Sequence, residues 1–224
     1  MQNTCEGHRA RIKRKFKSNG LEAWHDYEIL ELGLFYAIPY KDTKLAAKKL
    51  LSKFKTLEGV LNADIKDLCE IKGVSEHTAL FIKFLKHITK KVLEKRLYEF
   101  DIIASPSTAV DYFNVSIANK REEKFVTLFL NSRNKALAVE TLQTGTVGEV
   151  VVYPRKIAER ALYHSAAGVI IAHNHPGGSL APSKQDKRLT KRIKDALQTI
   201  DVLLLDHIIV TGTNYYSWKE QNML

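Results

Sequence analysis

The 224-residue sequence predicts an α/β fold: a layered C-terminal domain with a mixed sheet flanked by helices, preceded by an all-helical N-terminal domain. Three observations carry that prediction. Residues 1–100 read as successive helical segments. From about Phe125 onward, short apolar runs alternate with helical stretches. Between the two halves the segment Phe100–Ser107, with Asp101 and Pro106, reads as a linker, so the domains are placed at 1–100 and 101–224.

In the N-terminal half, Asp26 to Ala37 carries Ile29, Leu30, Leu32, Leu34 and Phe35 with helical clustering, and Pro39 ends it. Leu45 to Phe54 is a second helix. Ala63 to Glu70 is a short third, with the acid Asp64 in its first turn, and a long fourth runs from Ser75 to about Arg96. In the C-terminal half a short helix is expected over Ser107–Val115. Phe125–Leu130 and Lys135–Thr144 read as strands joined by the turn residues Asn131-Ser132-Arg133-Asn134. Glu149–Val152 is a candidate third strand. Pro154 suits the first position of a helix reaching about Ala166. A strand at 168–172, a helix at 183–199 and a strand from Val202 to Val210 complete the series.

Composition bounds the function. Hydrophobic residues make up 45%, an ordinary globular value. No apolar run approaches a membrane span, and the polar, basic start lacks the apolar core of a secretory signal. The two cysteines give no disulfide framework. Cys5 falls in a tail and Cys69 on an apolar helical face, where it is expected in the core. A reducing, cytoplasmic setting follows. The net charge is +10, and residues 1–100 hold 20 Lys+Arg against 13 Asp+Glu. The cluster from His8 through Arg9, Arg11, Lys13, Arg14 and Lys15 to Lys17 can neutralise nucleic-acid phosphates. It reads equally as a solvated basic helix or a frayed arm.

The chemistry concentrates in Ile171-Ala172-His173-Asn174-His175-Pro176-Gly177-Gly178, followed by Ser183 and Asp186. Residues i and i+2 of a strand project from one face, so His173 and His175 face together. The Pro-Gly-Gly turn lets the chain fold back and bring Asp186 toward them. Ser183-x-x-Asp186 also fits a helix capping box, which is compatible, since a cap sets the helix start that aims Asp186. Two imidazoles and one carboxylate, with a position left for water, describe a catalytic zinc site. Such a site needs a further carboxylate to move protons. Glu122, Glu123, Glu140, Glu149 and Glu159 are available, and periodicity does not choose among them.

His173-x-His175, seven residues, then Ser183-x-x-Asp186 resembles the metal signature of the JAB/MPN (JAMM) metalloprotease superfamily. The wider text resembles its RadC branch: Gly145-Thr146, Tyr153-Pro154-Arg155-Lys156-Ile157, Ala181 to Asp186, and Leu205-Asp206-His207-Ile208-Ile209-Val210. That family usually has Ser or Thr where Gly177 stands, a departure that alters the loop without removing a ligand. The resemblance implies Zn2+ held by His173, His175 and Asp186. It implies Glu123, just ahead of a core strand and about fifty residues before the first histidine, as general acid–base. It implies Ser183 as the hydrogen-bond donor to the oxyanion. Asp206 and His207 are read either as orienting a ligand or as satisfying buried backbone groups. His25 and His164 are read as structural, and the basic run Lys187–Lys194 as a solvated helix face.

Leu68, Ile71, Gly73, Val74 and Ser75, followed by Ala79 and Ile82, resemble a helix-hairpin-helix, a module that often grips DNA phosphates. Here Ser75 replaces the second glycine of the usual pair, which restricts backbone approach. Two functions follow as expectations. The first is a zinc metallohydrolase cleaving a peptide or isopeptide bond in a peptide or protein substrate. The alternative is a DNA-binding or DNA-processing protein whose metal domain is regulatory or structural. A nuclease fits less well, because one metal on two histidines and one acid is not the paired-metal arrangement of phosphodiester cleavage. An inactive scaffold fits poorly with an intact ligand set.

Overall fold

A computed structural model of the chain describes residues 4–104, 106–118, 122–144, 152–212 and 214–224. It divides into two compact units, Met1–Ile88 and Thr89–Leu224. The candidate strand at Glu149–Val152 and the pair Gly145-Thr146 fall wholly or mostly outside the described residues.

The first unit is helical: α1 (Thr4–Asn19), α2 (Asp26–Ala37), α3 (Lys44–Phe54), α4 (Leu57–Asn62), α5 (Ile65–Cys69) and the start of α6 (Glu76–Glu99). Its core joins Leu30 and Leu34 of α2, Ala46, Ala47 and Leu50 of α3, Val60, Leu68, Ala79 and Ile82. The six-residue α4 has too few apolar repeats to be read from periodicity. Thr56 sets its start, its Oγ1 accepting from the Gly59 amide at 2.9 Å. Cys69 is exposed, against the expectation of a core position; in so short a helix as α5 only Leu68 is buried. The basic cluster near the N-terminus lies on α1 and is partly engaged. His8 meets the buried Glu31 at 2.8 Å, and Arg9 donates to the Ile38 carbonyl at 2.6 Å.

The second unit is built on a sheet. It contains α7 (Pro106–Ile117), β1 (Lys124–Leu130), β2 (Ala136–Thr144), α8 (Pro154–Tyr163), β3 (Gly168–Asn174), α9 (Lys184–Gln198), β4 (Leu203–Thr211) and β5 (Asn214–Ser217). Among the described residues the strand order is β2-β1-β3-β4-β5, with β3 and β4 parallel and the other neighbours antiparallel. A parallel pair needs a crossover, and α9 supplies it. One sheet face, with Val126, Leu128, Ile170, Ala172, Ile208 and Val210, packs on α7. The other, with Phe125, Phe129, Val169 and Ile171, packs on α8 and α9 through Ile157, Ala161, Ile193 and Leu197. The result is a three-layer α/β/α unit, and every residue of β3 is buried.

Helix α8 stops at Tyr163, short of the expected Ala166. Ser165 takes a left-handed φ of 51°, and the Ala166 amide returns to the Ala161 carbonyl at 2.9 Å. Strand β5 is only four residues long and was not read from the sequence. Among the described residues no helix is long and apolar enough to cross a membrane.

Candidate metal centre

His173 lies at the C-terminal end of β3, His175 one residue beyond it, and Asp186 in the first turn of α9. Their ligand atoms lie within 4.8 Å of one another. His173 Nε2 is 2.9 Å from His175 Nε2 and 3.3 Å from Asp186 Oδ1, and His175 Nε2 is 3.5 Å from Asp186 Oδ2. A tetrahedral zinc with bonds near 2.05 Å spaces its ligands about 3.3 Å apart. The three separations bracket that value.

The turn aims Asp186 through a reciprocal cap. Ser183 N donates to Asp186 Oδ2 at 2.7 Å, and Asp186 N donates to Ser183 Oγ at 3.0 Å, satisfying two helix-end amides. The cap uses Ser183 Oγ only as an acceptor, so its proton remains for the Asp186 carboxylate or for a molecule in the cleft. Gly178, with φ of 80°, turns the loop between the ligands. At Gly177 a Cβ would meet nothing within 4 Å, so glycine there is not required by space.

The His175 Nδ1 lies 2.7 Å from the Ser179 carbonyl, which only accepts, so a neutral His175 keeps its proton on Nδ1 and its lone pair on Nε2. That lone pair points at a second imidazole nitrogen and a carboxylate. His175 Nε2 and the Asp186 carboxylate are then two acceptors 3.5 Å apart, and such a pair requires a proton or a metal ion between them. Without a metal, hydrogen bonding to Asp186 raises the His175 pKa, with the Glu123 charge adding to it. Burial would raise Asp186, but the two histidines and Ser183 outweigh it and hold the carboxyl far below the ordinary range. The residues fit a divalent cation.

Beside the ligands is a cleft of about 270 Å³, walled also by Glu123, Phe125, Val152, Ser183, Gln185 and Leu189. Continuing the antiparallel register of β1 and β3, in which Phe125 faces His173, sets Glu123 opposite His175. Glu122 is exposed. Glu140 is bound to Arg160 and His164, Glu159 pairs with Lys156, and Glu149 lies outside the described residues.

Four residues around the site were less legible in the sequence. Asn174, wholly buried, points to the face opposite the histidines. Its Oδ1 accepts from Lys124 N at 2.8 Å and its Nδ2 donates to Glu122 O at 3.1 Å, clamping the chain on both sides of Glu123. Thr190, on α9 one turn past Asp186, bonds to the Asp186 carbonyl. Asp206 and His207 divide the roles left open for them. Asp206 accepts from the His207 and Lys219 amides and from Ser217, although burial raises its pKa. His207, stacked on Trp218 at 4.2 Å, lies 2.8 Å from His173 Nδ1. Its complete burial pushes its pKa well below the ordinary histidine value.

A three-layer α/β/α unit that presents two histidines from a strand end and an aspartate from the next helix is a JAB-type domain. The family model of the RadC-like JAB domain matches residues 103–223, and that of a SAM-like helix-hairpin-helix tandem matches residues 43–84. A UPF0758 protein of Fusobacterium nucleatum is 36% identical over 229 residues, covering 98% of this chain and 97% of that one. A UPF0758 protein of Ruegeria pomeroyi is 35% identical over the full length of both. The chain belongs to the RadC-like JAB-domain family.

Proposed function

We propose that the protein is a zinc-dependent hydrolase that cleaves a peptide or isopeptide bond. The observation that supports it most is the convergence of two imidazole nitrogens and a carboxylate at the wall of a cleft that also holds Glu123 and Ser183. Zinc held by His173, His175 and Asp186 would lower the pKa of a bound water toward roughly 7. Glu123, on the cleft wall, would serve as the base that accepts a proton from water and the acid that gives one to the leaving amine. Ser183 donates its hydroxyl proton to the oxygen that gains charge as the carbonyl is attacked. Phe125, Val152 and Leu189 form the apolar part of an otherwise polar wall, and their low polarisability strengthens the charge interactions next to them.

The test is hydrolysis of a peptide and isopeptide library by the zinc-supplied protein and by Glu123→Gln. Cleavage by the first, reduced about 10²–10⁴-fold in the second, supports the reading. Absence of cleavage of every member by a zinc-loaded protein contradicts it.

A second reading has its own observation, the helix-hairpin-helix match over residues 43–84 in a half of net charge +7. Gly73 turns the hairpin at a φ of 100°, and Ser75 Oγ accepts from the Thr78 amide at 3.3 Å. On this reading the unit binds DNA phosphates. Affinity should then fall steeply with salt, and a salt-independent affinity would remove it.

A further inference from the structure

The ligand set leaves one buried polar chain unexplained. It begins at the Asp186 carbonyl, 2.6 Å from Thr190 Oγ1. Thr190 Oγ1 is 2.6 Å from His207 Nδ1, and His207 Nε2 is 2.8 Å from His173 Nδ1. Thr190 is 4% exposed, and His207 and His173 no more than 1%, so water does not compete along the chain.

The direction of each bond follows from chemistry. A carbonyl oxygen only accepts, so the Thr190 hydroxyl proton goes to Asp186 O. The hydroxyl oxygen must then accept from His207, which carries its proton on Nδ1. The ring of His207 lies between Trp218 and Phe125, surroundings suited to a neutral imidazole. Its Nε2 is therefore an acceptor and takes the proton of His173 Nδ1. What remains on His173 is a lone pair on Nε2, the atom 2.9 Å from His175 Nε2 and 3.3 Å from Asp186 Oδ1.

We infer that Thr190 and His207 are positioning residues: a one-way hydrogen-bond chain from the α9 backbone fixes His173 in the tautomer whose Nε2 can bind a metal. The purpose rests on the metal-site reading above; the tautomer does not. The chain starts on the backbone of one ligand and ends on the ring of another, so the helix that aims Asp186 also prepares His173. His175 is prepared separately by the Ser179 carbonyl.

The experiment is ¹⁵N spectroscopy of the histidine rings in the metal-free, full-length protein at mildly alkaline pH, with zinc affinity measured by chelator competition. Wild type is expected to show His173 and His207 protonated at Nδ1. Thr190→Val, which removes the hydroxyl at similar volume, is expected to mix the tautomers and to weaken zinc binding about 10–100-fold. Thr190→Ser restores both. A residue that only fills space would give the reverse: Thr190→Val would bind zinc normally and keep the tautomer. His173 protonated at Nε2 in wild type overturns the inference even if every variant fails to fold. Wild type that is Nδ1-protonated but binds no zinc upholds the chain and sinks the metal reading.

Discussion

Among the described residues of the sheet domain two side-chain clusters combine histidine and carboxylate, and the difference that matters between them is a cation. Glu140 of β2 receives Arg160 Nε at 2.8 Å and lies 2.7 Å from His164 Nε2. Arg160 holds that carboxyl below its ordinary pKa, and the guanidinium completes the charge balance. Asp186 faces two imidazoles, and no Lys or Arg among the described residues pairs with it. The first cluster is closed by its own cation. The second has the same kinds of group and lacks one. A carboxylate with histidines is therefore not in itself a metal site; the missing positive charge makes the difference.

The largest effect expected from that contrast is on metal affinity. Asp186→Asn should abolish tight zinc binding, while Glu140→Gln should leave it unchanged and lower stability by about 1–2 kcal/mol, the cost of a half-buried charged hydrogen bond. Titration with zinc and urea unfolding of both variants would measure this. Equal loss of zinc in the two would erase the distinction.

The pH dependence should also separate zinc-bound from zinc-free protein. The His175 pKa is raised above its usual value near 6.5. Protons thus compete with zinc already above that value, and the zinc dissociation constant should rise as pH falls through it. In the metal-free protein the sign is opposite. A raised folded-state pKa contributes stability that is fully present below the unfolded value and lost as pH rises through the folded one. Thermal melts with and without zinc across pH 5–8 would reveal crossing trends; parallel trends would contradict the assignment.

Next in size is Asn174. If it holds Glu123 in place, Asn174→Ala should lower kcat about tenfold, a loss of roughly 1.4 kcal/mol, with KM and zinc content unchanged. A fall in zinc content instead would assign Asn174 to the fold. The smallest effect is expected at Gly177, where a side chain meets nothing. Gly177→Ser should bind zinc as wild type does, and a large change would mean that loop freedom matters to the ligands.

The same contrast explains what could be read from the sequence. His173, His175, Ser183 and Asp186 lie within fourteen residues, so strand alternation, a turn and a cap suffice to bring them together. The helices with caps or sustained periodicity were legible for similar reasons. Asn174, Thr190 and His207 act across the fold, with partners 50, 17 and 34 residues away. No local pattern announces such contacts. His164, read from the sequence only as structural, caps α8 and finds its partner Glu140 24 residues back on β2. Helix α4, strand β5 and the exposed Cys69 were missed because they are short or sit in short elements, where one or two buried positions make no period.

The most direct measurement is elemental analysis of wild type, of His173→Ala/His175→Ala and of Glu140→Gln after zinc is supplied. The account predicts about one zinc per chain in wild type and Glu140→Gln and none in the double variant. No zinc in wild type, or zinc retained when both histidines are gone, would contradict it.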